Sequence, residues 1–390
     1  MANKFGISKN VLVMGLVSFF NDFASEMIYP IVPIFLTTVL GAPVAVVGVI
    51  EGIAESTASF LKVISGWLSD KLQKRKSFAV AGYCLSTISK VVIGLAFGWP
   101  LVLFGRFLDR FGKGVRTSAR DALIVESSTA QNRGRSLGFH RALDTLGAVV
   151  GPLAAILLLY FLGNNLRPIF FIAFVPGLIG VVLLLLFVKD VNKVKTARPA
   201  VKFGWKNLDG NFKIFLFVSV IFAIGNSSDA FLILRAQSFG LPLALTILAY
   251  VLFNITYSLF SEPAGALSDK IGPKKILLSG FFLFSLVYLA FGLINSSIFI
   301  WLLFPIYGIY MAMTDGVGKA YIADLVPQEK LGTAFGLYQT AVGICTLFSS
   351  IIAGLLWTYA GVGAPFIFGS AMALIAVVLF FFSGKKKINA

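Results

Sequence analysis

Twelve apolar stretches, each long enough to cross a bilayer as a helix, follow one another along this chain. No other feature limits its fold so strongly. They lie at roughly 10–37, 44–68, 77–97, 100–124, 134–162 and 168–188, then at roughly 212–238, 242–267, 275–295, 298–324, 331–359 and 363–383. A helix needs about 20 mostly apolar residues to span hydrocarbon. Backbone in lipid must satisfy its own hydrogen bonds, which segments of this length do as helices. The expected fold class is therefore all-α integral membrane, with twelve transmembrane helices. The first stretch follows a short basic start, but Pro30 and Pro33 stand where a cleavable leader would carry small residues, so it reads as a retained span.

Charge fixes the orientation. Only 13% of the 390 residues are charged, yet the net charge is +16. Soluble domains carry about a quarter charged residues. Sorted by loop, the cations fall on one side: Lys4 and Lys9; Lys71, Lys74, Arg75 and Lys76; Arg116, Arg120, Arg133 and Arg135; the linker cations from Lys189 to Lys213, Arg198 among them; Lys270, Lys274 and Lys275; Lys330; and Lys385 to Lys387. The opposite loops hold Arg167, with Arg235 near the outer end of the seventh span. This positive-inside asymmetry places both termini in the cytoplasm, in the cell (cytoplasmic) membrane. It accounts for the basic balance without nucleic acid, which would require a basic soluble face. One histidine, His140, and two cysteines inside apolar runs, Cys84 and Cys345, make neither a metal set nor a nucleophilic centre. No cofactor, no metal site and no enzymatic activity are expected.

The two sets of six spans repeat. GWLSDKLQKRK from Gly66 and GALSDKIGPKK from Gly265 close the second and eighth spans, and Gly41 and Gly240 precede those spans at the same displacement of 199 positions. RGRSLGFHRA from Arg133 and LGTAFGLYQT from Leu331 stand 198 positions apart. A fixed period over most of the chain indicates two homologous bundles. At these loops the chain resembles the major facilitator superfamily, whose loop reads Gly-x-Leu-x-Asp-(Arg/Lys)-x-Gly-(Arg/Lys)-(Arg/Lys). Gly66, Leu68, Asp70, Lys71, Lys74 and Arg75 match it, with Gln73 at the usual glycine. Gly265, Leu267, Asp269, Lys270 and Gly272 form the second copy, with Pro273 as its departure. The string DRFGKGVRTSARDALI is similar to a largely uncharacterised prokaryotic branch. The resemblance implies two pseudo-symmetric six-helix bundles: 1–188, a cytoplasmic linker over 189–210, and 211–390. It also implies gating by the loop, for which Gly66, Asp70, Lys71, Arg75, Arg116, Arg120, Gly265 and Asp269 are the candidates.

The fourth span is the anomaly. GRFLDRFGKGVRTSARD, from Gly105, carries five cations and two acids. An ionised residue at the bilayer centre costs about 2.5–3.5 kcal/mol on insertion scales, so it faces a partner or water. Arg106, Arg110 and Lys113 share one face by their spacing. The first span offers Asp22 and Glu26, one turn apart. Facing positions on antiparallel neighbours have residue numbers of constant sum, and the pairs Asp22 with Arg110 and Glu26 with Arg106 share one such sum. These pairs are expected across a polar cavity. Asp22 and Glu26 are the candidate proton-coupling acids, because an acid that alternates between arginine and a proton couples the two. Arg106 and Arg110 are their counter-ions or hold an anionic substrate group. Asp109, Lys113, Asn21, Tyr29, Glu51, Glu55, His140, Arg141, Asp144, Asn226 and Asp229 complete the candidate binding or counter-ion set.

The expected function is secondary transport of a small organic solute by alternating access, as proton-coupled efflux. Proton-coupled import, or facilitative passage of an organic anion, is the alternative. The expected partners are the small-molecule substrate, protons and the lipid bilayer, with the protein acting as a monomer.

Overall fold

The structure, a computed structural model, describes residues 8–72, 74–129, 132–190, 209–327 and 330–383; of Asp70 only its place in a helix is described. Among the described residues every element is helical. In order they are α1 (Lys9–Ile28), α2 (Ile31–Ile34), a π-helical turn (Phe35–Val39), α3 (Val44–Leu72), α4 (Arg75–Gly94), α5 (Trp99–Glu126), α6 (Arg133–Phe161) and α7 (Arg167–Phe187). After the linker come α8 (Gly210–Gly225), α9 (Ala230–Ser238), α10 (Leu243–Ile271), α11 (Pro273–Leu293), α12 (Ile300–Leu325), α13 (Leu331–Ala360) and α14 (Ala364–Phe382). Eleven helical stretches are long and apolar enough to cross a membrane. The twelfth is α5, whose charges keep it out of that set, although its 28 residues extend about 42 Å.

Both halves open on a broken helix, a detail the periodicity of the sequence does not reveal. The first break falls at Tyr29 and Pro30, and the chain continues as α2 and the π-turn. Pro30 and Pro33 each lack an amide donor, so the regular ladder cannot run through them. The second break lies between α8 and α9, where Asn226 has φ −91° and ψ 89°. No proline is responsible there; Asn226, Ser227, Ser228 and Asp229 offer the backbone competing side-chain hydrogen bonds instead.

The chain resolves into two compact units, Met1–Pro43 with Ile53–Thr196, and Val44–Gly52 with Ala197–Ala390. The start of α3 thus groups with the second unit: a Cβ on Gly48 would lie 2.3 Å from the carbonyl oxygen of Ser350 on α13. The expected linker over 189–210 falls largely on 191–208, outside the described residues, as do Lys4, Gln73 and Lys385 to Lys387.

Within each unit the helices are tied in parallel ways. Lys76 Nζ, at the start of α4, donates to the carbonyl of Leu185 near the end of α7 at 2.8 Å. Lys274 Nζ, 198 positions later, donates to the carbonyl of Ser383 just after α14 at 2.5 Å. Cations suit helix C-termini, where carbonyls lack intrahelical partners. Gly82 on α4 lets α5 approach so closely that a Cβ would lie 2.5 Å from the carbonyl oxygen of Gly112. At Gly280 on α11 the corresponding neighbour is the Thr314 side chain on α12, at 2.7 Å. Gly147 and Gly151 on α6 bring that helix onto the bare backbone of α1, each with a notional Cβ 2.5 Å from a carbonyl oxygen, of Phe19 and Phe23 respectively. The Gly-Pro element at Gly151 and Pro152 therefore serves helix packing here.

Candidate functional site

The charges of the fourth span converge inside the first unit. Asp22, Ser25 and Glu26 of α1, with Tyr29 just after it, line one wall of a pocket, and Arg106, Asp109, Arg110, Lys113 and Arg116 of α5 line the other. The lining holds four cations and three carboxylates. Arg106 and Asp109 of its lining are 2% and 5% exposed, and Lys90, which pairs with Asp109, is 0% exposed.

The innermost group is centred on Asp109. Lys90 Nζ on α4 stands 3.7 Å from one carboxylate oxygen, and Arg106 Nη1 stands 3.8 Å from the other. The Ser86 hydroxyl donates to the same carboxylate. Lys90 also donates to the carbonyl of Ser86 at 2.7 Å and to Ser25 Oγ at 3.2 Å. Ser86 and Lys90 lie one turn apart on the third span, and that polar pair in an apolar helix was the sequence signal for their role. The Arg106 and Arg110 guanidinium carbons stand 5.5 and 5.8 Å from the centroid of the Tyr29 ring, within cation–π range.

The expected partner of Asp22 is corrected. Arg110 Nη2 pairs with Glu55 on α3 at 3.0 Å, and Asp22 Oδ1 instead faces Arg116 Nη2 at 3.8 Å. The constant-sum argument assumed helices with level ends. In fact Asp22 stands as far past Lys9 as Lys113 stands before Glu126, so Arg110 and Arg116 lie equally near its level, and Glu55 on α3 takes Arg110. Arg116, expected at the gating end of α5, is thus 3% exposed and lines the pocket. Glu26 and Arg106 line that same pocket.

The remaining candidates divide between the units. Asn21 Nδ2 donates to Asp22 Oδ1 at 3.3 Å. His140 Nε2 and Ser18 Oγ are 2.7 Å apart, and Ser18 Oγ lies 3.0 Å from the Tyr83 hydroxyl, a buried chain across α6, α1 and α4. Arg141 and Arg120 both reach Asp144, at 3.4 and 3.8 Å. Glu51 belongs to the α3 segment that groups with the second unit, where Ser228 Oγ donates to it at 3.4 Å. In that unit the Tyr307 hydroxyl donates to Asp229 at 2.7 Å and Asn226 donates to the Tyr310 hydroxyl at 3.2 Å. Asn226 and Asp229 therefore join the tyrosines of the second unit's core.

Among the gating candidates, Arg75 Nε donates to Glu126 at 3.3 Å and its Nη1 to Ser69 Oγ at 2.9 Å. Arg120 Nε pairs with Asp121 at 2.9 Å. A Cβ on Gly66 would meet Ser118 at 3.2 Å, whereas one on Gly265 would meet nothing within 4 Å. Lys71 lies over the Trp67 ring and Asp269 is exposed; the side chain of Asp70 is outside the described set.

Long apolar helices enclosing a buried, charged pocket define a multi-pass membrane protein with an ionisable interior. The chain belongs to the Major Facilitator Superfamily, whose family model matches residues 14–235 and 214–389. It is 39% identical over 382 residues to an uncharacterised MFS-type transporter of Methanocaldococcus jannaschii, covering 96% of this chain and 95% of the relative. A multidrug resistance protein of Bacillus subtilis is 26% identical over 201 residues, 52% of this chain and 47% of that one. The crystal structure of the nucleoside transporter NupG superposes with a TM-score of 0.74 at 14% identity, covering 96% and 99% of the two chains, which shows the shared fold. The protein is a transporter of this superfamily.

Proposed function

We infer that the protein exports a small organic solute across the cytoplasmic membrane by alternating access, with both termini in the cytoplasm, and that protons drive it. One observation carries the reading: the pocket of the first unit has four cationic side chains against three carboxylates. The cationic surplus suits an anionic group on the solute, and Arg110, Lys113 and Arg116 present it. Asp22 supports the coupling: its arginine lies at 3.8 Å, beyond hydrogen-bond length, so a proton can replace that contact. The name of the Bacillus subtilis relative supports efflux. The same surplus favours a second reading, proton-coupled or facilitative import of an organic anion, which differs only in direction.

The test uses full-length protein in lipid vesicles and a panel of small carboxylates, benzoate and citrate included. A thermal-shift screen at two pH values selects the binders. Asp22→Asn is expected to abolish solute movement driven by a pH gradient while retaining solute exchange. Equal loss of both activities would place Asp22 in binding or folding and remove the coupling role. Opposite responses of inside-out and right-side-out vesicles separate export from import.

A further inference from the structure

The pocket of the first unit is not electrically balanced. Its lining holds four cations and three carboxylates. Two bonded neighbours leave the difference as it is: Lys90 on α4 adds a cation beside Asp109, and Glu55 on α3 adds a carboxylate on Arg110. One positive charge is left over. The surroundings do not cancel it. Further along α5 and α6, Arg120 and Arg141 are matched by Asp121 and Asp144. Lys62 on α3 has its carbonyl level with Ser118 of α5, beyond the last lining residue, Arg116.

The short contacts show which cation carries the excess. Arg110 Nη2 is 3.0 Å from Glu55, Arg106 Nη1 is 3.8 Å from Asp109 and Arg116 Nη2 is 3.8 Å from Asp22. Lys113 stands midway between Arg110 and Arg116 on α5. It lines the pocket, and its ammonium has no ion pair and no hydrogen bond among the described residues. A second donor is unused one turn away. Arg116 is 3% exposed; its Nη1 donates to Ser86 Oγ at 3.0 Å, while its Nε is buried with no acceptor among the described residues. A buried donor without an acceptor is costly, and so is a cation without a counter-charge. An anion in the pocket relieves both.

We propose that Lys113 anchors the anionic group of the solute, with Arg116 Nε as the second donor, and that the pocket selects a solute of one negative charge. That a solute enters the pocket rests on the transport reading above; which residue holds it, and at what charge, does not follow from that reading. A carboxylate offers one oxygen to each donor. Lysine is a point charge on a flexible stem, so it fixes the charge of the anion without dictating its shape. A neutral solute leaves Lys113 without a counter-charge. A solute with two negative charges brings one more than the pocket offsets. Charges held out of water penalise both cases.

The test is a thermal-shift titration of the full-length protein in detergent at mildly alkaline pH. It uses three probes built on one ring: neutral benzamide, singly charged benzoate and doubly charged isophthalate. The stabilisation by each probe reports its affinity. The wild type is expected to bind benzoate best. Lys113→Gln is expected to bind it about tenfold more weakly or worse, the loss of one charge-assisted contact, and Lys113→Arg to keep the preference. Asp22→Asn removes a carboxylate and raises the surplus to two, so its preference is expected to turn to isophthalate. Benzoate binding that survives Lys113→Gln overturns the anchor and leaves the transport reading untouched. A wild type that favours benzamide or isophthalate, or that responds to no probe, overturns the proposal, as does an unchanged preference in Asp22→Asn. Should Lys113→Gln fail to fold, labelling of Lys113 by an amine-reactive reagent, mapped by mass spectrometry, takes its place: protection by benzoate and not by benzamide supports the anchor, and no protection refutes it. If benzoate binds through Lys113 but does not cross vesicle membranes under a pH gradient, the transport reading fails and the anchor stands.

Discussion

The two halves of this chain share a skeleton and fill it differently. At an offset of 198 residues, Lys90 and Asp109 in the first half correspond to Tyr288 and Tyr307 in the second, Ser86 to Phe284, and Arg106 to Phe304. In the first half these positions hold an ion pair with its serine and arginine. In the second they hold packed rings: Phe284 and Tyr288 stack with centroids 3.9 Å apart, and Tyr307 and Tyr310 lie 5.1 Å apart. Tyr288, Tyr307 and Tyr310 are at most 2% exposed. Against a well-packed apolar replacement a buried ion pair is often neutral or worse. Stability alone therefore favours the aromatic solution, and the charged one fits the binding role proposed above. Backbone-level ties, such as the capping lysines and close-approach glycines, are common to both halves, and the buried Lys90–Asp109–Arg106 cluster is replaced by rings in the second.

The largest test of this contrast removes half of the ion pair. Lys90→Met leaves Asp109 buried beside Arg106 alone and is expected to cost about 3–5 kcal/mol. Adding Asp109→Leu should recover most of that loss, as the second half predicts for an uncharged filling. Chemical unfolding in detergent measures both, and additive losses would mean the two side chains do not act as a pair. A smaller effect separates the glycines. Gly82→Ala would press on the backbone of Gly112 and Arg116, which cannot rotate away, so a cost near the upper end of about 1–3 kcal/mol is expected. Gly280→Ala meets the side chains of Thr314 and Met313, which can shift, and should fall near the lower end; equal costs would refute the difference. The smallest effect should be the same in both halves. Lys76→Ala and Lys274→Ala each remove a cation from a helix C-terminus and are expected to cost about 0.3–1 kcal/mol apiece, read by thermal unfolding.

Much of the fold was legible because lipid imposes so narrow a rule. Span positions came within a few residues of the helices, since apolar length is the signal and little else in the chain imitates it. Even α5 was legible as a span despite its charges, because Trp99 and Pro100 mark its entry and the cations keep helical spacing. The breaks in the first and seventh spans were not, because apolarity continues through them. For the site, the sequence supplied Asp22, Arg106, Arg110, Lys113 and Glu55 as members of one polar region, and the structure gathers them. It did not supply their pairing. Which acid meets which arginine depends on a third helix as well: Glu55 on α3 takes Arg110, and Arg116 is the arginine that faces Asp22. Asp144 was one acid among several in the sequence, and the structure gives it Arg120 and Arg141 as partners.

The glycine seam between α1 and α6 has a mechanical meaning. At Gly147 and Gly151 the separation of α1 and α6 is dictated by main-chain atoms in contact, and main chain has no alternative rotamer to adopt. Parting the two rods there requires one to slide or tilt against the other as a whole, along a ruler whose divisions are the carbonyls of Phe19 and Phe23.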